Sequence, residues 1–264
     1  MITHLSEWAK RKPQAPFFCV QGDKQSIEYS YRRAHIAAAA LARELERYGM
    51  TANGTLACTM YNGTELVLLS LAAAYGGYTL ALLNPRLSAD ERQLRLVELE
   101  NATGEHGMDV LTNQMVNRLL IDATGFDATG FGLLPDDAAV LTRLQVELEQ
   151  TVQRYQERFD GDNAGLVMFT SGSSGTPKAA FLTWNSLMGS AAGANEVLRY
   201  EEHGVWQMVL PLCHVGGFQI LVRTLLSGNT FIVYERYQPQ RILNDVLSFR
   251  VTHISVVDKI LADL

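Results

Sequence analysis

The stretch Leu66-Val67-Leu68-Leu69-Ser70-Leu71-Ala72-Ala73-Ala74-Tyr75-Gly76-Gly77-Tyr78-Thr79-Leu80-Ala81-Leu82-Leu83 carries no charge. Its length approaches the ~20 apolar residues that a membrane-crossing helix needs. Gly76-Gly77 interrupts it, however, and a glycine pair punctuates secondary structure. The run therefore reads as a buried helix over residues 66–75 followed by a buried strand over residues 78–83.

The same alternation extends in both directions. Ser30 can cap a helix whose apolar positions Ile36, Ala40, Leu41, Leu45 and Tyr48 share a face, with Gly49 closing it. A strand is expected over 55–60, a turn at Asn84-Pro85, and a helix to about residue 100 opened by the capping box Ser88-Ala89-Asp90-Glu91. Residues 101–160 are less regular apart from an amphipathic helix over 141–159. Beyond them, a short strand at 166–169 leads into a loop. Helices follow at 184–198, 217–226 and 239–249, with strands at 206–210, 230–234 and, buried, at 253–257. This order predicts an α/β fold with largely parallel sheets.

Composition is consistent with that fold. Apolar residues make up 47% and charged residues 19% of 264, with Gly and Pro scattered and no repeat or low-complexity tract. With 22 Lys+Arg against 28 Asp+Glu, the net charge is −6, which disfavours nucleic acid or an anionic membrane as partner. Cys19, Cys58 and Cys213 lie far apart, with no Cys-x-x-Cys pair, and read as packing residues in a reducing compartment. Residues 1–20 lack the apolar segment of a secretion signal. The chain ends inside a helix expected from Asp258 without a Gly or Pro stop, the pattern of an incomplete domain.

The segment with the strongest chemical signature is Thr170-Ser171-Gly172-Ser173-Ser174-Gly175-Thr176-Pro177-Lys178, in which five of nine residues carry hydroxyls. Glycines let backbone N–H groups approach an anion, hydroxyls add donors and the lysine adds charge. After a buried strand, such a loop is a candidate phosphate cradle; the alternative is a flexible connector. It is not a Walker A loop, because Pro177 and Ala179 flank Lys178.

The segment resembles the phosphate-binding signature of the adenylate-forming enzymes, which include acyl-CoA synthetases, adenylation domains and luciferases. Other segments match in the same order: Ile27-Glu28-Tyr29-Ser30-Tyr31, Leu83-Asn84-Pro85-Arg86-Leu87-Ser88, and Leu210-Pro211-Leu212-Cys213-His214-Val215-Gly216-Gly217. Within the family, His-Val-Gly-Gly followed by Arg223 is most similar to the o-succinylbenzoate–CoA ligases of menaquinone synthesis. The chain departs from that subfamily at Asp258-Lys259, where Pro-Thr is usual.

The resemblance implies an ATP-dependent acid–thiol ligase of the cytoplasm, joining a small-molecule carboxylate to AMP and then to coenzyme A. It implies the N-terminal subdomains of the adenylate-forming fold, mostly parallel sheets flanked by helices. Residues 1–264 would form an incomplete adenylation domain, divided near residue 160, with the C-terminal domain and later motifs absent. Thr170, Ser171, Gly172, Ser173, Ser174 and Gly175 would hold phosphates, Lys178 would add charge near the leaving pyrophosphate, and Mg²⁺ would bridge phosphate oxygens. His214 would lie beside the reacting carboxylate, with Gly216 and Gly217 permitting close ligand approach. Arg223 would grip a second carboxylate, or else form a structural ion pair. Homo-oligomerisation is a further expectation from the resemblance. The alternatives are another aryl- or fatty-acyl-CoA synthetase, or a non-catalytic nucleotide- or acyl-binding module.

Overall fold

A computed structural model describes residues 1–22, 26–124, 137–171 (the side chain of Ser171 apart), 176–200 and 203–264. The chain opens with α1 (Ile2–Arg11), β1 (Pro16–Gln21) and β2 (Ser26–Ser30), then α2 (Tyr31–Arg47) and β3 (Thr55–Thr59). The uncharged run forms α3 (Thr64–Gly76) and β4 (Thr79–Leu83), followed by α4 (Ala89–Thr103), β5 (Val110–Leu111) and α5 (Asn113–Thr124). Next come α6 (Ala138–Arg158), the hairpin β6 (Ala164–Ser171) and β7 (Pro177–Thr183), and α7 (Trp184–Leu198). The chain closes with β8 (Val205–Met208), α8 (Val215–Ser227), β9 (Thr230–Tyr234), α9 (Pro239–Ser248), β10 (His253–Ile254) and α10 (Asp258–Asp263).

Local sequence explains the main boundaries. Ser30 Oγ accepts from Arg33 N, and α2 ends in a Schellman turn in which Gly49 N reaches Glu46 O and Met50 N reaches Leu45 O. Gly49 follows the last capped residue at φ +96°, where a side chain would strain the backbone. Tyr48, expected on the apolar face, is instead 65% exposed, because the helix has already terminated there. Helix α3 is buried on every side from Leu66 to Gly76, β4 is buried throughout, and Gly77 at φ +70° turns one into the other. Among the described residues no helix is long and apolar enough to cross a membrane. The capping box of α4 is formed by Ser88 and Glu91.

Two sheets result, in the orders β5-β3-β4-β6-β7 and β10-β8-β9-β1-β2. Both are parallel except for the antiparallel pairs β6–β7 and β1–β2. One continuous core joins the inner faces of both sheets through α1, α2, α3, α7 and α8. A smaller cluster lies where Leu96 and Leu99 of α4 meet the first sheet, and another where Ile242 of α9 meets the second.

The expected division near residue 160 does not follow the sheets. β6 and β7 complete the first sheet, whereas β1 pairs with β9 and completes the second. The strand expected over residues 253–257 shrinks to His253–Ile254, half-buried to exposed, because it lies on a sheet edge and pairs only with β8.

Candidate active site

The parallel strands of both sheets point their C-terminal ends toward one cleft, the usual location of ligand sites in α/β folds. The cleft holds about 170 Å³. From the first sheet come Met60, Tyr61 and Asn62 after β3 and Asn84, Pro85 and Arg86 after β4. From the second come Val209, Pro211, Cys213 and His214 after β8 and Tyr234 and Glu235 at the end of β9.

The candidate phosphate loop leaves the same edge. Leu80 and Ala81 of β4 pair with Leu166 and Val167 of β6, so continuing that register places Ser171 level with Pro85. Gly172, Ser173, Ser174 and Gly175 lie outside the described residues. The two sides of the loop are paired, Ser171 with Pro177 and Thr170 with Lys178. Thr170 and Lys178 are exposed at this end of the hairpin.

His214 is the N-cap of α8, with an exposed side chain that makes no capping bond. Its carbonyl accepts from Gly217 N and Phe218 N, both at 3.0 Å, and its own N–H donates to Pro211 O at 3.1 Å. The N-terminal end of α8 thus opens on the cleft with the partial positive charge of a helix N-terminus.

Asn62, which carries no motif of its own in the sequence, fixes the His214 loop to the first sheet. Its Oδ1 accepts from Leu212 N at 2.9 Å and its Nδ2 donates to Leu210 O at 3.3 Å. Arg86 is the only Lys or Arg among the described lining residues; its backbone N–H is held by Asn84 Oδ1 at 2.9 Å.

The two glycines differ in what an added side chain would meet. A methyl on Gly217 would stand 2.2 Å from Pro211 O, so this glycine lets the chain's own loop pack on α8. Gly216 faces only Leu210 Cδ1 at 3.2 Å, the end of a flexible side chain.

Arg223 is not brought to the His214 cleft. Nine residues further along α8, its guanidinium lies 5.9 Å from the Trp206 ring centroid. Tyr200 packs edge-on to Trp206 at 5.2 Å, His253 stacks on Trp206 at 4.6 Å, and Tyr200 and His253 also meet edge-on at 5.7 Å. Among the described residues Arg223 has no ion pair, and Arg223 Nε, Trp206 Nε1 and Tyr200 Oη are buried without partners. The expected alternative, a structural salt bridge, thus has no partner for Arg223 among the described residues.

All three cysteines are free and buried. Burial raises their thiol pKa values, to about 11 for Cys19 and Cys213, as suits packing residues rather than nucleophiles.

A family model described as AMP-binding enzyme matches residues 5–264. The chain belongs to this family. A 2-succinylbenzoate–CoA ligase of Staphylococcus aureus (strain JH9) is 27% identical over 239 residues, covering 88% of this chain and 48% of the relative. The chain thus spans about half the length of the curated relatives it matches. Two solved structures have similar folds. O-succinylbenzoate coenzyme A synthetase from Bacillus subtilis, in complex with ATP and magnesium ion, gives a TM-score of 0.73 at 22% identity, covering 98% of this chain and 50% of that one. A Mycobacterium tuberculosis fatty acyl CoA synthetase gives 0.74 at 21% identity, covering 99% and 50%. The AMP-binding family assignment and these folds agree with the sheet architecture described above.

Proposed function

We propose that this chain is the ATP- and carboxylate-binding part of an AMP-forming acid–CoA ligase, with o-succinylbenzoate as the acid. The observation carrying this reading is the convergence, on one edge of the two sheets, of the hairpin bearing the hydroxyl-rich loop, Lys178, and the His214 end of α8.

In the first step a carboxylate oxygen bonds to the α-phosphorus of ATP, and the bond from that phosphorus to the departing pyrophosphate breaks. Both reactants are anions, so positioning and charge neutralisation dominate the catalysis. Residues 170–175 hold the β- and γ-phosphates through N–H groups and hydroxyls, and the Lys178 ammonium stabilises the departing pyrophosphate. His214 and the first turn of α8 orient the reacting carboxylate, with Arg86 adding a cation at the opposite wall. Arg223 Nε, Tyr200 Oη and Trp206 Nε1, buried without partners among the described residues, favour a polar acyl group reaching inward along α8, with Arg223 taking its second carboxylate.

Among the described residues no grouping of three or more His, Cys, Asp or Glu could hold a metal ion. In the proposed reaction Mg²⁺ would be held at least in part by phosphate oxygens of ATP, where it would offset their charge. Coenzyme A then supplies the thiol that displaces AMP. The chain spans about half of its relatives, so the 264 residues by themselves form no appreciable thioester. The cytoplasm is the proposed compartment, and a homo-oligomer the proposed assembly.

Calorimetric titration with a stable o-succinylbenzoyl-AMP analogue, a fatty-acyl-AMP analogue and AMP tests the reading. Selective binding of the first is expected. Preference for the fatty-acyl compound would reassign the acid and remove the role given to Arg223. Binding of none of the three would refute a complete acyl-adenylate pocket within this chain.

A further inference from the structure

A second cleft, of about 590 Å³, opens between α1, α2 and α6, on elements that contribute nothing to the His214 cleft. Ser6 and Lys10 line it from α1, Arg32 and His35 from α2, and Thr142, Gln145 and Glu149 from α6.

Two of these polar side chains are more than nine-tenths buried yet incompletely partnered. His35 is 7% exposed, and its Nδ1 lies 2.5 Å from Tyr75 Oη. Tyr75 is itself 1% exposed, and among the described residues its hydroxyl has no other hydrogen-bond partner. The hydroxyl therefore donates to Nδ1, which leaves the ring proton on Nε2. Nε2 has no protein partner among the described residues, so its N–H is a donor available to the cleft. Burial, with Lys10 adding to it, pushes the His35 pKa down to about 4, so the ring is neutral at pH 7 and the tautomer argument applies. Ser6 is 4% exposed, and its hydroxyl likewise makes no hydrogen bond among the described residues.

The charges point to an anion. Lys10 and Arg32 outnumber Glu149 on the lining, in a chain whose net charge is −6. Arg32 is held in place by the cleft wall, its Nε donating to Gln145 Oε1 at 3.0 Å and its Nη2 to Thr142 Oγ1 at 2.9 Å. Those bonds use the fork with which arginine would grip a planar carboxylate. What remains is a separated set of donors: an ammonium, an imidazole N–H, a hydroxyl and one guanidinium nitrogen. Such a set suits the outward oxygens of a tetrahedral oxyanion.

We propose that the α1–α2–α6 cleft is a binding site for a phosphate group, held by Lys10, Arg32, His35 Nε2–H and Ser6. The site is independent of the acid used at the His214 cleft. Its volume leaves room for an organic group behind the phosphate, and Glu149 offers an acceptor for that group's hydroxyl or amine.

The test is a ¹⁵N-histidine NMR titration of the 264-residue chain at pH 7 with inorganic phosphate, with glycerol 3-phosphate, and with sodium chloride at matched ionic strength. A saturable change at His35 Nε2 is expected with both phosphates and not with chloride. Tighter binding of glycerol 3-phosphate identifies an organic phosphate as the occupant, and equal or weaker binding identifies free phosphate. Lys10→Gln, at an exposed position that leaves the fold intact, should weaken binding roughly tenfold, as loss of one charge-assisted hydrogen bond does. Lys178→Gln should leave the His35 response unchanged. A non-saturating response equal to that of chloride, an unaltered affinity in Lys10→Gln, or loss of the response in Lys178→Gln would each overturn the proposal.

Discussion

Replacing Gly217 by alanine tests how the loop carrying His214 is held. The added methyl would stand 2.2 Å from the carbonyl oxygen of Pro211, 2.6 Å from its carbon, and 2.9 Å from the carbonyl oxygen of Leu210. All three are backbone atoms, so no side-chain rotation relieves the contact. Ordinary contact begins at 3.4 Å, which forces residues 210–214 away from α8 by about 1 Å. Overpacking of this kind costs ~1–3 kcal/mol, while the better helix propensity of alanine returns at most ~1 kcal/mol.

Gly216 provides the internal control. Its methyl would meet only Leu210 Cδ1 at 3.2 Å, the end of a flexible side chain. Alanine there is expected to be neutral or stabilising by up to ~1 kcal/mol. The adjacent variants should therefore differ by about 2 kcal/mol in urea unfolding followed by tryptophan fluorescence, with unchanged slope. The His214 ring resonance should move in Gly217→Ala and stay in place in Gly216→Ala. Stabilities of the two variants within ~0.5 kcal/mol of each other would refute the close loop–helix contact. They would restore the reading in which the glycines are kept for a ligand.

Three other measurements probe the same architecture. Asn62→Ala removes both side-chain bonds to the His214 loop and leaves Leu212 N–H unsatisfied; a loss of ~1–3 kcal/mol and faster hydrogen exchange at Leu212 are expected, and unchanged exchange would contradict the clamp. His35 titrates near 4 in the folded chain against 6.5 for an unperturbed imidazole, so the unfolded state takes up a proton first as pH falls. Its contribution is present above pH ~6.5 and is lost toward pH 4, about 3 kcal/mol in all, and a His35→Gln variant losing as much stability as the parent between pH 6.5 and 5 would refute it. If Arg223 grips the second carboxylate as proposed, Arg223→Ala should weaken binding of the o-succinylbenzoyl-AMP analogue roughly tenfold and leave AMP binding unchanged; equal losses for both would remove Arg223 from the acyl pocket.

Where a boundary is set locally, it was legible. The Gly76-Gly77 break, the Ser88–Glu91 capping box and the turn after α2 depend on residues within a few positions of one another, and each forms as expected. The phosphate-loop candidate was equally visible, because hydroxyls, glycines and a lysine are concentrated in one short segment.

Strand β7 was missed because Pro177-Lys178-Ala179-Ala180 has little strand propensity and gains its ladder by folding back on β6. Strand β1 was missed because it is buried without alternation and pairs with β9, more than two hundred residues away in sequence. Asn62 gives no local signal at all: its partners lie 148 and 150 residues further along the chain.

The sequence by itself determined the α/β class, the resemblance to adenylate-forming enzymes and the residues of the candidate phosphate loop, since each follows from the order of side chains along a short length of chain. Tertiary structure alone decided that β6 and β7 belong to the first sheet, that Gly217 makes room for Pro211, and that Arg223 sits against Trp206 away from His214. Those outcomes depend on contacts between segments distant in sequence, where packing and strand pairing choose the partner and local propensity does not.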